Sequence, residues 1–374
     1  MISASDDYPL HQTPRPFRDP GIDSNLYDRF FFCGYPTTGP GRGSTYFAVA
    51  FGTYPGRNVT DGAFSIVSEG VQRNVRASRI MGNDRMDLSV GPLTVEIIEP
   101  LRRLRVRVDA PEAGISADLL FTSRGPAFEE PHFEWKPGNL TLMDITRMAQ
   151  NGTWTGFIQT PTTRFEVTPG SWLGTRDRSW GIRPVGPRDP SPRAPDGPAL
   201  PNYYWLWGPL NFPDLNVIFD VNENSDGSRW HEHASTAPVG DDPSALPVVE
   251  GTHTYEIGWR PNTRRADSFS LTITPKAGGP SEFIKLRVLT TFYMMGVGYT
   301  HPTWGHGYYV GPNERTHDEF TTAGVDETNP GFNHVQILCE ATRADGTIGM
   351  GILEMSIRGP HEPSGLRNYV DMHD

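Results

Sequence analysis

Two aromatic-rich stretches hold the residues best suited to chemistry. GSWLGTRDRSWGIRP, residues 170–184, interleaves Arg176, Asp177, Arg178 and Arg183 with Trp172 and Trp180, and NYYWLWGPLNFP, residues 202–213, adds Tyr204, Trp205 and Trp207. Charges this dense among large aromatics are costly to bury unless paired. The segment therefore reads either as an Arg–Asp stitch between two domains or as the wall of a pocket. In the pocket reading Asp177 does proton chemistry, while Arg176, Trp180, Tyr204, Trp205 and Trp207 shape an apolar ligand site. A third stretch, YTHPTWGHGYYV at residues 299–310, contributes His301, Trp304, His306 and Tyr308. Histidine titrates near neutrality and serves as acid, base or ligand. His301 and His306 join Asp177 as catalytic candidates, with Trp304 and Tyr308 as substrate contacts.

A fourth candidate comes from strand register. Asp345-Gly346, between HVQILCEATR and TIGMGILEMS, is the strongest hairpin signal in the chain. A two-residue loop would place Glu354 opposite Ile337, with Val335, Cys339 and Ile352 around it. A carboxylate on an apolar face has its charged form disfavoured and its pKa raised, which suits a general acid. A slip of one residue would turn Glu354 to the other face.

Other chemistries find little support. His231-Glu232-His233 has His-x-His spacing, but no carboxylate follows at a cupin-like distance, and HExxH, CxxC and EF-hand loops are absent. No metal and no cofactor is expected. GxGxxG, GxxxxGK[ST] and GxSxG are missing too, which removes the basis for nucleotide-dependent transfer and α/β-hydrolase chemistry. A net charge of −11 speaks against nucleic acid as the main partner. No apolar run approaches the roughly 18 residues of a membrane span. Cys33 and Cys339 form no disulfide framework, and the N-terminus lacks a basic region followed by an apolar one. A cytoplasmic location and a hydrophobic small-molecule partner are the expectations, with a second copy of the chain in a homodimer as a further partner.

These residues need a scaffold, and the pattern predicts an all-β one. Gly (40) and Pro (35) together make about 20% of the 374 residues, too many for a helix bundle. Period-2 alternation recurs in Leu104, Val106 and Val108, in Ile115, Ala117, Leu119 and Phe121, and in Phe269, Leu271 and Ile273. Further strands are predicted over 45–51, 64–69, 93–98, 164–168, 216–221, 254–259 and 283–293. Turns are predicted at Asn151-Gly152, Asp226-Gly227, Pro261-Asn262 and Asp345-Gly346. Seven prolines between Pro184 and Pro201 cannot feed a hydrogen-bonded ladder. That stretch is read as a linker, giving an N-terminal β domain at 1–183, a crossover at 184–201 and a C-terminal β domain at 202–374.

GTRDRSWGIRP followed by YYWLW resembles the RDxSWG-type signature of the carotenoid 1,2-hydratase / kievitone hydratase-like superfamily. TWGHG and GMGILEMSIRGPHEPSGL look like the matching half of a bacterial branch of it. The resemblance implies two lipocalin-like antiparallel β-barrel or sandwich domains packed side by side, with a ligand cavity near their junction. It also implies a cofactor-independent lyase (a hydratase or dehydratase) or an isomerase or cyclase, acting on a hydrophobic isoprenoid-like or aromatic small molecule. Many relatives have His where Arg178 stands, so only Asp177, Trp180 and Arg176 are implied by that motif. A non-catalytic lipid- or terpenoid-binding protein and a glycan-active β-sandwich are the alternatives.

Overall fold

A computed structural model describes residues 2–9, 23–84, 86–136, 141–187 and 202–373. The protein is all-β. The first sheet is built from β1 (Leu26–Pro36), β2 (Tyr46–Tyr54), β3 (Val59–Ser68), β4 (Val71–Ile80), β5 (Ser89–Val90), β6 (Leu93–Glu99), β7 (Arg103–Ala110), β8 (Ile115–Ser123), β9 (Phe128–Glu129), β10 (Phe133–Trp135), β11 (Met143–Gln159), β12 (Arg164–Val167) and β13 (Trp172–Ile182). The second follows as β14 (Tyr203–Asn211), β15 (Leu215–Glu223), β16 (Arg229–Pro238), β17 (Val249–Trp259), β18 (Ala266–Pro275) and β19 (Glu282–Tyr293). β20 (Asn313–Thr321), β21 (His334–Arg343) and β22 (Ile348–Arg358) complete the chain.

β14–β19, β21 and β22 close into an eight-stranded barrel. The other strands form a strongly curved, nearly closed sheet in the order β20-β4-β3-β2-β1-β13-β11-β8-β7-β6-β5, with β9, β10 and β12 paired to β11 off this path. β20 is the exception to chain order. It leaves the C-terminal half of the chain and pairs with β4, Thr316 opposite Arg76. The stretch 188–201 of the predicted linker lies outside the described residues. Among the described residues no helix is long and apolar enough to cross a membrane.

Strand alternation distributes the side chains over three cores. Phe30, Phe32, Phe47, Val49 and Trp154 fill the first sheet's interior, and Tyr204, Leu206, Phe219 and Met355 fill the closed barrel. Tyr27, Phe31, Cys33, Tyr35, Trp205 and Trp207 occupy a third core between the two sheets. Residues of β1 and β14 thus alternate between two buried faces, which is why these strands read as almost continuous apolar runs.

β13 obeys the same rule with charges. Arg176 and Arg178 turn into the first sheet's interior, each with no exposed surface. Arg176 pairs with Asp7, and its Nε donates to the Oε1 of Gln150 at 2.9 Å. Arg178 reaches Asp28 at 2.5 Å and the carbonyl of Arg29 at 2.8 Å. The guanidinium of Arg178 also lies 4.0 Å over the Phe30 ring.

Two turn readings change. Asn151-Gly152 lies within β11, not in a turn. Gly152 is needed there because a Cβ would sit 2.2 Å from the Phe121 ring, and the Asn151 side chain bonds the Leu210 carbonyl across the sheets at 3.0 Å. The last hairpin has three loop residues, Ala344 to Gly346, closed by the amide of Arg343 on the carbonyl of Thr347. Gly346 takes the left-handed φ of 86° that this loop requires.

Asp28→Asn is expected to cost about 3–5 kcal/mol in urea unfolding, because Arg178 would stay buried without a counter-charge. An unchanged midpoint would mean that this pair is not desolvated.

Candidate functional site

The two sheets face each other across a cavity of about 600 Å³, lined by β11, β13, β14, β21, β22 and the loop 294–308. That volume lies in the range of small-molecule sites. Cross-strand register explains which side chains reach it. On the first sheet, Arg29, Ser179 and Arg147 stand in one row and Phe31, Asp177 and Ala149 in the next, and of these Ser179, Arg147, Phe31 and Asp177 line the cavity. On the barrel's outer face, Trp205, Ser356 and His334 form a row beside Trp207, Glu354 and Gln336.

Asp177 therefore enters the cavity, while its neighbours Arg176 and Arg178 do not. Its carboxylate makes no hydrogen bond among the described residues. Burial pushes its pKa up to about 6, against the opposing pull of Arg147, Arg29 and Arg183, with Glu354 adding to the rise. Arg176 and Arg178 pair with Asp7 and Asp28 inside the first sheet, so these ion pairs do not stitch two domains, and Asp177 takes no part in them.

Glu354 lines the same cavity by a different route from the one expected. The three-residue loop shifts the hairpin by one, so Glu354 stands opposite Gln336 instead of Ile337. It faces away from Val335, Ile337 and Cys339, which belong to the barrel interior. Three donors hold it: His334 at 2.8 Å, Gln336 at 2.5 Å and the Trp205 indole at 3.1 Å. Burial opposes ionisation, but His334 and these bonds outweigh it, and its pKa is lowered. Glu354 is thus a stabilised carboxylate and not the raised acid that the apolar-face register predicted.

Trp205, Trp207, His301, His306 and Tyr308 also line the cavity. His306 has both ring nitrogens engaged: Nε2 lies 2.8 Å from the Val297 carbonyl, and Nδ1 lies 2.8 Å from Arg29 and 3.2 Å from Arg183. Burial, then Arg29 and Arg183, hold its pKa well below the usual histidine value. A neutral ring that donates from Nε2 to Val297 and accepts at Nδ1 from Arg29 and Arg183 satisfies these contacts, and leaves the second Arg29 nitrogen, 2.8 Å from Nε2, without an acceptor there. The Nδ1 of His301 caps the turn by accepting from Thr303 and Trp304 amides, and its pKa is lowered to about 4, chiefly by burial.

Four predicted contacts lie elsewhere. Arg176 and Trp180 are even-numbered on β13 and turn to the opposite face from Asp177. Tyr204 points into the barrel, where it stacks on His361 at 4.1 Å. Trp304 borders a separate small crevice with Asp61.

The structure adds residues that no motif marked. Arg147 lies 4.5 Å over the Trp205 ring and pairs with Glu130 at 2.8 Å. Burial raises the pKa of Glu130 well above the usual glutamate value in spite of Arg147. Phe133, Trp135 and Tyr203 extend the aromatic wall. Alternation from Trp205 would have found Tyr203, and alternation from Asp177 would have found Ser179; Arg147 needed the β11–β13 register. His231 and His233 both engage Asp220, at 2.8 and 3.5 Å. Among the described residues no group of three or more His, Cys, Asp or Glu side chains is arranged to hold a metal ion.

The fold and site define a two-sheet β protein with a cavity, walled in part by aromatic side chains, between a closed barrel and a nearly closed one. The chain belongs to a family of unknown function (DUF8625), whose profile matches residues 2–367. No curated protein matches its sequence. Among solved structures, a mutant of Transferrin Binding Protein B from Haemophilus parasuis Hp5 is similar at 9% identity, covering 89% of this chain and 75% of that one, with a TM-score of 0.14.

Asp177 gives a stability prediction with a definite sign. Its folded pKa of about 6 lies above the ordinary 3.8. Its contribution to stability is therefore present below the ordinary value and lost as pH rises through about 6. Asp177→Asn lacks that loss, so the melting temperature of the variant minus that of the native protein should rise between about pH 4 and 6 and then level off. A difference that falls over this interval would mean that Asp177 is ion-paired.

Proposed function

We propose that the protein is a cofactor-independent acid–base enzyme, a hydratase or dehydratase or an isomerase or cyclase, acting on a double bond of a hydrophobic isoprenoid-like or aromatic molecule in this cavity. The observation that carries the reading is the Asp177 carboxyl, unbonded and facing an aromatic-walled space. Its environment and that of Glu354 push the two pKa values in opposite directions, the pattern that separates an acid from a base.

In this reading protonated Asp177 gives its proton to one carbon of the double bond. Positive charge then develops on the other carbon, facing a wall that already attracts a cation, since Arg147 sits on Trp205. Water adds to that carbon and passes a proton to Glu354, which His334 and Gln336 hold in place. Loss of a proton from an adjacent carbon to Glu354 gives double-bond migration instead. In both routes the proton gained by Glu354 balances the one lost by Asp177, and exchange with solvent resets the pair. The resemblance around RDRSWG supports this class of chemistry, with Asp177 retained from the motif.

The test is a panel of aryl and isoprenoid alkenes followed by mass spectrometry for gain or loss of water. Turnover should fall as pH rises above about 6, because the acid form of Asp177 is consumed. Asp177→Asn should lower kcat/KM by roughly 10²–10⁴. Full turnover in that variant would remove Asp177 from the mechanism, and no turnover of any alkene by the native protein would favour a binding protein.

A further inference from the structure

The arginines on and behind the cavity wall are not equally compensated. Arg147, Arg176 and Arg178 each pair with a carboxylate. Arg358, beside Tyr203, does not, and neither do Arg29 and Arg183, which lie together: among the described residues none of the three has a carboxylate within ion-pair distance. Arg29 and Arg183 instead press on the neutral His306 ring, Arg29 placing its two terminal nitrogens 2.8 Å from the two ring nitrogens. Their remaining support comes from tyrosines, and the Tyr299 hydroxyl also contacts Arg183. Arg183 lies 4.7 Å over Tyr27 and 5.6 Å over Tyr299, and Arg29 lies 4.7 Å over Tyr299. The Nε atoms of both are buried without a partner. Asp61, a buried acid close to both, is held by the Gly307 amide at 2.6 Å and the Tyr54 hydroxyl at 3.1 Å.

A second observation points to the same end of the cavity. Tyr27 lines the cavity with only 1% of its surface exposed. Its hydroxyl contacts Ser179 but lacks a partner with the geometry of a hydrogen bond. Two uncompensated guanidiniums beside an unused hydroxyl are costly to bury in an empty site, and an anion relieves both costs.

We propose that the His306 end of the cavity is a carboxylate-binding subsite, in which Arg183, backed by Arg29 and Tyr27, takes the acid group of a substrate whose flat apolar body lies along Phe133, Trp135 and Trp205. This rests on the function proposed above and narrows its substrate to aromatic or polyene carboxylic acids. Arg183 contributes a fixed, planar donor that suits two carboxylate oxygens. The neutral His306 positions both arginines without cancelling their charge. A carboxylate bound there also raises the pKa of Asp177 further, as a like charge does, and so keeps the acid protonated when substrate is present.

Calorimetry with naphthalene-2-carboxylate and its neutral amide tests the subsite without requiring turnover. The native protein should bind the carboxylate at least about tenfold more tightly than the amide. Arg183→Gln should abolish that preference and leave amide affinity within about twofold, while Arg183→Lys and Tyr27→Phe should reduce it in part. Arg358, which lines the cavity beside Tyr203, is the control: Arg358→Gln should retain the preference. Equal binding of both probes, no binding of either at millimolar concentration, or loss of preference in Arg358→Gln but not Arg183→Gln would overturn the proposal. The native comparison stands even if a variant fails to fold. A carboxylate preference alongside full turnover in Asp177→Asn would sink the acid–base reading and leave the subsite intact.

Discussion

The ion pair of Arg178 with Asp28, together with that of Arg176 with Asp7, is the interaction on which the site depends. β13 lies between β1 and β11 with both faces covered, and it places three charges in consecutive positions. Such a strand is tolerable only if the charges turned into the sheet interior are neutralised there. Asp28 comes from the adjacent strand and Asp7 from the N-terminal segment, whose carboxylate also accepts the Leu101 amide. With the two arginines satisfied on one side, alternation leaves Asp177 alone on the other.

The two faces of β13 are therefore electrostatic opposites. Inside the first sheet every charge on this strand has its partner. On the cavity side, compensation is selective: Glu354 has three donors, Glu130 has Arg147, and among the described residues Asp177, Arg29, Arg183 and Arg358 have no ion pair. Folding alone gains nothing from leaving such groups unpaired, since burial of each carries a desolvation cost. Their concentration around one space of ligand size, while paired charges lie on the reverse side of the same strand, separates the structural charges from those free to act.

Much of this was legible from periodicity. The alternating runs at 104–108, 115–121 and 269–273 became strands with the expected faces, and the Trp205–Trp207 spacing placed both rings on one wall. The errors came from local turn chemistry and from tertiary contacts. Asp345-Gly346 does make a hairpin, but Ala344 joins the loop, and that single residue turned Glu354 from the barrel interior to the cavity. Its carboxylate consequently met His334 and Gln336 in place of Ile337 and Cys339, which reverses the direction of its pKa. Asn151-Gly152 looked like a turn because its composition suits one. The tight approach of Phe121 and the bond to Leu210 use the same two residues within a strand. Arg29, Arg147 and His334 had no local signal, because their importance lies in cross-strand rows joining segments distant in the chain.

The loop bearing His301, His306 and Tyr308 shows how the two sheets are coupled. It leaves the barrel after β19, crosses the cavity, and continues into β20, which pairs with β4 of the first sheet before the chain returns to the barrel as β21. The loop is thus anchored in one sheet at each end. At its middle, His306 bonds the Val297 carbonyl within the loop and faces Arg29 from the first sheet. Further ties cross directly: Gln72 of β4 donates to the Tyr293 carbonyl at 2.8 Å, and Tyr46 of β2 donates to Gln336 at 2.5 Å. Because Gln336 in turn donates to Glu354, the carboxylate on the barrel wall is held in register with the first sheet that presents Asp177. Relative sliding of the sheets would break these bonds, so the same contacts that close the cavity also fix the separation between its two carboxylates.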